Sequence, residues 1–159
     1  MTAKESLTQF PAPTAPVFHI VDGGITKQIV NCKSLTLDGA DRWLLVAVPI
    51  EPKLMPKGTH VMVHSVGTVD ATGREEIPGT KFYKDYTVTG VEVGGQIQVH
   101  VPYVPYIKHI QPPMESGLPS GYIKIWYIFE VNGSPTKSDE FFHQVMLLSS
   151  GLYCEGTPT

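Results

Sequence analysis

Tyr122-Ile123-Lys124-Ile125-Trp126-Tyr127-Ile128-Phe129-Glu130-Val131 decides the fold. The stretch is built of β-branched and aromatic side chains, the residues that fit a pleated, half-buried surface. Ile123, Ile125, Tyr127, Phe129 and Val131 recur at every second position and so share one face of a strand. Gly121 opens the strand and Asn132-Gly133 closes it with a strong hairpin signal, lengthened by Ser134-Pro135-Thr136-Lys137. Ser138 to Leu148 then reads as the returning last strand, and Gly151 to Thr159 as a polar tail. Asn132-Gly133-Ser134 also matches a glycosylation sequon, but with no signal peptide ahead of it the turn is the better reading.

The same periodicity continues toward the N-terminus. Ile97, Val99 and Val101 alternate with Gln96, Gln98 and His100, after a turn at Gly94-Gly95. Phe82 to Thr89 is a further strand, preceded by a long polar loop over residues 67–80. Val61 and Val63 alternate with His60, Met62 and His64 in a strand from Thr59 to Val66. Arg42 to Ile50 is apolar on both parities, which reads either as a strand covered on both sides or as the centre of a sandwich sheet with a partner on each flank. Trp43 and Trp126 are expected in the core. Val17 to Val21 and Ile25 to Cys32 flank Asp22-Gly23-Gly24, a short-loop hairpin. Pro102, Pro105, Pro112, Pro113 and Pro119 break the chain between two strands. Residues 1–16 carry Pro11, Pro13 and Pro16 and read as an extended arm; residues 17–150 then form one domain and 151–159 the tail.

No window keeps a helical period with caps at both ends. About eight strands separated by turns predict an all-β protein, an immunoglobulin-like Greek-key β-sandwich, with a jelly roll as the alternative. Composition agrees. Gly (15) and Pro (14) among 159 residues are too frequent for a helix bundle, and 42% hydrophobic with 17% charged residues excludes a disordered tail. A net charge of -3 with scattered basic residues excludes a polybasic nucleic-acid binder, so no nucleic-acid partner is expected. No apolar run follows Lys4 and none approaches the ~20 residues of a membrane helix. The expectation is a soluble chain with no membrane span, cytoplasmic or released without a signal.

The region from Trp43 to Leu148 resembles immunoglobulin-like domains of large bacterial surface and secreted proteins. The resemblance rests on a strand ending in Val48-Pro49 and on Lys57-Gly58 leading into a Val-rich strand. It continues through Ile77-Pro78-Gly79-Thr80, Ile97 to Pro102, and Ile125 to Val131 before Asn132-Gly133. The N-terminal hairpin and the lack of a tandem repeat depart from that pattern. The resemblance implies a scaffold that binds or assembles.

Chemistry-bearing residues are few. No GxSxG, P-loop, GxGxxG or HExxH motif occurs, so no enzyme activity and no cofactor are expected. His60, Met62 and His64 share a strand face, a late-transition-metal donor set. The two imidazoles lie four residues apart, about 13 Å by strand rise, which favours a plain polar face over a metal site. His100 and His143 would join them only from neighbouring strands. Asp38, Asp41, Asp70, Glu75, Glu76 and Asp85 read as solvated loop charge rather than a calcium site. Tyr83, Tyr86, Tyr103, Tyr106 and Tyr122 are the candidate contact aromatics, with Tyr103, Tyr106 and Tyr122 as the candidate ligand-binding surface, for protein or glycan; packing over the open ends of the sandwich competes. Cys32 and Cys154 read as buried thiols given the missing signal, with a disulfide clasping first and last strands as the other reading. The function expected is a non-enzymatic module acting through surface contacts: an assembly subunit, a secreted effector or an adhesion-type domain, partnered by itself or another protein through the arm and edge strands. A carbohydrate-binding lectin using the loop tyrosines is the alternative, and a metal enzyme using the histidines a distant third.

Overall fold

The computed structural model describes residues 10–148 and 153–154. Two sheets face each other. The larger follows the order β1 (Phe18–Asp22), β2 (Ile25–Val30), β10 (Phe141–Val145), β8 (Tyr122–Val131), β5 (His60–Thr68), β6 (Phe82–Thr87), with β9 (Ser134–Lys137) also on β8. The smaller is β3 (Leu35–Asp38), β4 (Asp41–Pro49), β7 (Gln96–Pro102). This is an all-β sandwich. Every pairing among these strands is antiparallel except β2 with β10, which run parallel through Ile29 and Val30.

The decisive stretch forms β8 from Tyr122 to Val131, flanked by β5 on one side and by β10 and β9 in succession on the other. Ile123, Ile125, Tyr127 and Phe129 point inward and are buried. They meet Val61 and Val63 of β5, Leu44, Val46 and Val48 of β4, and Ile97, Val99 and Val101 of β7 in one core cluster. β4 has partners on both flanks, as its apolar run predicts: β7 on one, β3 on the other. Only one of its faces is fully covered, however; Trp43, Leu45 and Ala47 are half-buried on the outer side.

Both tryptophans differ from expectation. Trp43 and Trp126 occupy outward parities, opposite to Leu44 and to Ile125 and Tyr127, so they stand on the outer faces rather than in the core. β3 and β9 are not legible as strands in the sequence, because Leu35–Asp38 is only four residues long and Ser134–Lys137 is equally short and opens on the turn-formers Ser134 and Pro135. The last strand is shorter than Ser138–Leu148: Ser138 turns its hydroxyl onto the Tyr127 N–H at 3.0 Å, which breaks the ladder between β9 and β10.

The proline-broken segment between β7 and β8 folds into tight helical turns at Tyr103–Ile107 and Lys108–Ile110, and its Tyr103, Ile107 and Ile110 close one end of the core. Two glycines permit that closure. A Cβ on Gly67 would lie 2.5 Å from Ile110 Cγ1, and one on Gly121 would lie 2.6 Å from the Thr68 carbonyl oxygen. At the other end the loops 50–59 and 88–95 meet, through Ile50 N–H to the Gly95 carbonyl at 3.0 Å and Gly58 N–H to the Val88 carbonyl at 2.8 Å.

Residues 10–16 of the proline-rich arm lie along the chain's own sandwich; residues 1–9 fall outside the described residues. Phe10 packs edge-on against Phe129 at 4.9 Å, Tyr127 donates its hydroxyl to the Pro11 carbonyl at 2.9 Å, and Thr14 exchanges both backbone bonds with Ala47. β7 occupies the opposite edge of β4, so the arm extends the edge that β3 leaves vacant. Burial pushes the Tyr127 hydroxyl up to about 12, with Asp139 adding to the shift, and keeps it a donor at neutral pH.

Candidate contact surfaces

The three tyrosines of the expected ligand surface go to three different neighbours. Tyr103 is only 3% exposed and belongs to the core, so its ring offers no area to a ligand. Burial follows from the tight turn after Pro102, which drives the ring inward. Tyr106 is half-buried and tilts against Phe82 at 5.0 Å. Tyr122 stands on the outer face of the large sheet, stacked on Phe142 at 5.3 Å. The aromatic left most open is Tyr83, at the free edge of the sheet.

The histidine face is occupied by its own neighbours. Register aligns Tyr83, His64 and Trp126 across β6, β5 and β8. His64 stacks flat on Trp126, with centroids 5.1 Å apart and planes 4° apart, and approaches Tyr83 at 6.2 Å. Lys137 and Lys124 place their ammonium groups over the Trp126 ring at 4.8 and 5.6 Å. The rings stand upright as a cross-strand ladder. Desolvation in that stack, reinforced by Lys81 and Lys137, holds the His64 imidazolium below its ordinary range, so the ring is neutral at pH 7. His60 turns away to Asp85, 3.5 Å from its Nδ1, with Thr87 at 3.3 Å. His100 lies in the other sheet, stacked on Trp43 at 4.5 Å, and β8 separates His143 from β5. Among the described residues, no three of His, Cys, Asp and Glu converge in a geometry that could hold a metal ion.

The acidic residues expected in loops are dispersed. Asp70 accepts from the Thr72 N–H and hydroxyl, which lowers its pKa, and Asp85 lies within β6.

Cys32 and Cys154 form a disulfide, with Cα atoms 5.3 Å apart and 122 residues apart in sequence. The reading as two reduced thiols is therefore replaced by the clasp. It ties Cys154 to the residue two positions past β2, and the neighbouring Tyr153 hydroxyl donates to the Gln111 carbonyl at 2.9 Å.

Two exposed apolar surfaces stand out among the described residues. The first is the β1–β2 hairpin. The β10 pairing reaches only Ile29 and Val30, so the hairpin stands off the sheet beyond them, and among the described residues β1 is paired on one side only. Gly23 and Gly24 turn the chain with positive φ, as Asp22-Gly23-Gly24 predicts. Phe18, Val21 (75% exposed) and Ile25 (63%) are left in contact with solvent.

The second is the β6–β7 loop. Glu92 folds back into it: one carboxylate oxygen accepts from the Tyr86 hydroxyl, the Thr89 N–H and the Thr89 hydroxyl, each at 2.7 Å, and the other from the Gly90 N–H at 3.1 Å. These bonds, led by the Thr89 backbone N–H, lower its pKa to about 2. On either side of it Val91 and Val93 are 83% and 88% exposed. The glycines at 90, 94 and 95 and the alternation of valine with glutamate were the signal for this loop; they read only as turn chemistry in sequence.

None of the described helices is long and apolar enough to cross a membrane. No protein-family model matches the chain, and no curated protein or solved structure matches it either.

Proposed function

We propose that the chain is a non-enzymatic β-sandwich module that acts through surface contacts, as a self-associating assembly subunit. The observation that carries this reading is the β1–β2 hairpin: an edge strand paired, among the described residues, on one side, held off the sandwich, with Phe18, Val21 and Ile25 in solvent. An unpaired edge with apolar side chains is a template for strand addition, and monomeric proteins blunt such edges. Lys27 and Asp22, paired at 3.0 Å, are the only charges within the hairpin's two strands, and they neutralise each other. A second β1 would lie against this edge and continue the sheet.

The finer fold reading fits the same proposal. β4 pairing with β7, opposite a sheet in the order β10-β8-β5-β6, supports reading these strands as B and E facing G-F-C-C′ of an immunoglobulin-like Greek key. The disulfide to the C-terminal segment and the outward tryptophans are departures from that pattern. The likeness to bacterial surface-protein domains stays part of the proposal, and it agrees with an assembling role.

The test is light scattering coupled to size-exclusion chromatography on the full chain. Val21→Lys with Ile25→Lys, both at exposed positions, is expected to lower the oligomeric state while leaving the far-ultraviolet spectrum and the melting temperature unchanged. An unchanged oligomer, or a wild-type chain that stays monomeric at all concentrations, would remove the support for this reading.

A further inference from the structure

Arg42 stands near the start of β4, on the parity that sends Leu44, Val46 and Val48 into the core. The core ends before reaching it. Its side chain is half-buried and lines a recess of about 510 Å³ between the start of β4, the end of β7 and the 103–110 segment. Among the described residues its guanidinium makes no ion pair and no hydrogen bond. An inward-parity arginine drawn partly out of water loses hydration at its five donors and here gains no acceptor in return. Lys108 brings a second cation to the same recess, its ammonium 5.2 Å from the centre of the Tyr153 ring. Among the described residues lining the recess, Asp41 is the sole acid against these two cations, so a positive excess remains.

The wall beside these charges is aromatic. Trp43 stands on the outer face of the small sheet, diagonal to His100 in the β4–β7 register. The two rings stack with centroids 4.5 Å apart and planes 13° apart. The imidazole covers one face of the indole and fixes its orientation, and the half-buried indole forms part of the recess wall. A concave site of ~300–1,000 Å³ with an apolar wall and a few convergent polar groups is the usual makeup of a small-ligand site.

We propose that this recess binds an acidic sugar, a pyranose bearing a carboxylate. Its carboxylate lies on Arg42 and Lys108, its C–H face on Trp43, and a ring hydroxyl donates to Asp41. A carboxylate matches the planar fork of a guanidinium with two parallel hydrogen bonds. The electron-rich indole takes the polarised C–H groups of the ring, and His100 already holds it in place, so little ordering is left for binding. Asp41 decides between a sugar and a bare anion: it repels a simple carboxylate or phosphate, whereas ring hydroxyls donate to it. The site shares no residue with the β1–β2 hairpin and does not depend on assembly.

Trp43 and Trp126 are the chain's two tryptophans, so in the full chain carrying Trp126→Phe the emission reports on Trp43 alone. This chain is titrated with galacturonate and with N-acetylneuraminate. Galactose serves as the neutral ring and acetate as the bare anion. Isothermal titration calorimetry follows the same ligands on the wild-type chain. Saturable binding of at least one acidic sugar is expected, and the preferred one identifies the ring. Galactose and acetate each offer only part of the contacts and should bind at least about tenfold more weakly. Arg42→Gln should weaken the acidic sugar by about tenfold or more and flatten the dependence of its affinity on salt. Melting curves separate loss of binding from loss of fold. Three results would overturn the proposal. One is no saturable response to either acidic sugar by either method. Another is galactose or acetate binding as tightly as the acidic sugars, acetate making the recess a plain anion site. The third is an Arg42→Gln chain that binds as the wild type does.

Discussion

Replacing Gly67 by alanine tests the packing that closes the core beneath the 103–110 segment. Gly67 has no positive φ, so the backbone itself accepts alanine. In open space the change would stabilise the chain by about 0.4–1 kcal/mol, through a less flexible unfolded state. The added methyl, however, would sit 2.5 Å from Ile110 Cγ1 and 3.1 Å from the Thr80 hydroxyl oxygen, which donates to the Ile77 carbonyl at 2.7 Å and accepts from the Gly67 N–H. Ordinary contact starts near 3.4 Å, so Ile110 must retreat by about 1 Å from a fully buried position. Overpacking of that size costs about 1–3 kcal/mol. The net expectation is destabilisation by about 1–2 kcal/mol. Ile110→Ala alone removes a buried side chain and should cost about 2–5 kcal/mol. In the double variant the new methyl occupies part of the space Ile110 leaves, so the sum should be undershot by about 1–2 kcal/mol. Gly121→Ala is the harsher control. Its methyl would meet the backbone oxygens of Thr68 at 2.6 Å and Ile110 at 2.9 Å, which cannot rotate away, and a loss on the order of 4 kcal/mol is expected. Urea unfolding followed by far-ultraviolet circular dichroism measures all four. A Gly67→Ala chain as stable as the wild type or more so, or strict additivity with Ile110→Ala, would refute the close approach.

Other expectations rest on separate observations. Replacing both cysteines by serine opens a loop of 122 residues and should cost up to about 5 kcal/mol in the chain-entropy picture, read as a drop in urea midpoint; a loss below about 1 kcal/mol contradicts it. Phe10→Ala should release the arm, so that exchange of the Ala47 amide, which donates to Thr14, accelerates while that of core amides in β8 does not. His64 and His143 both titrate below the ordinary value, His64 through desolvation and the lysines, His143 through desolvation that a backbone bond at Gln28 partly offsets. Their contribution to stability is complete above the unfolded value near 6.5 and is lost as pH falls through the folded values, because the unfolded chain takes up those protons first. The urea midpoint should therefore fall between pH 7.5 and 5, and less steeply in His64→Phe, which keeps the stack and removes the proton; equal slopes would contradict the shift.

Strand identity was legible because one face of each strand is buried and the other is not. Ile97, Val99 and Val101, and Ile123 to Phe129, announce their faces by parity alone. Parity also contained the answer for the tryptophans: Trp126 lies one position out of step with Ile125 and Tyr127, and only the habit of placing tryptophan in cores assigned it inward. Tyr103 was illegible for the opposite reason. Its orientation is set by the path of the chain after Pro102, and the fit of Ile110 over Gly67 that fixes that path joins residues far apart in sequence. The disulfide depends on the same kind of distant meeting. What a ladder such as Tyr83–His64–Trp126 does to a histidine is likewise a property of register across three strands, which no single segment specifies.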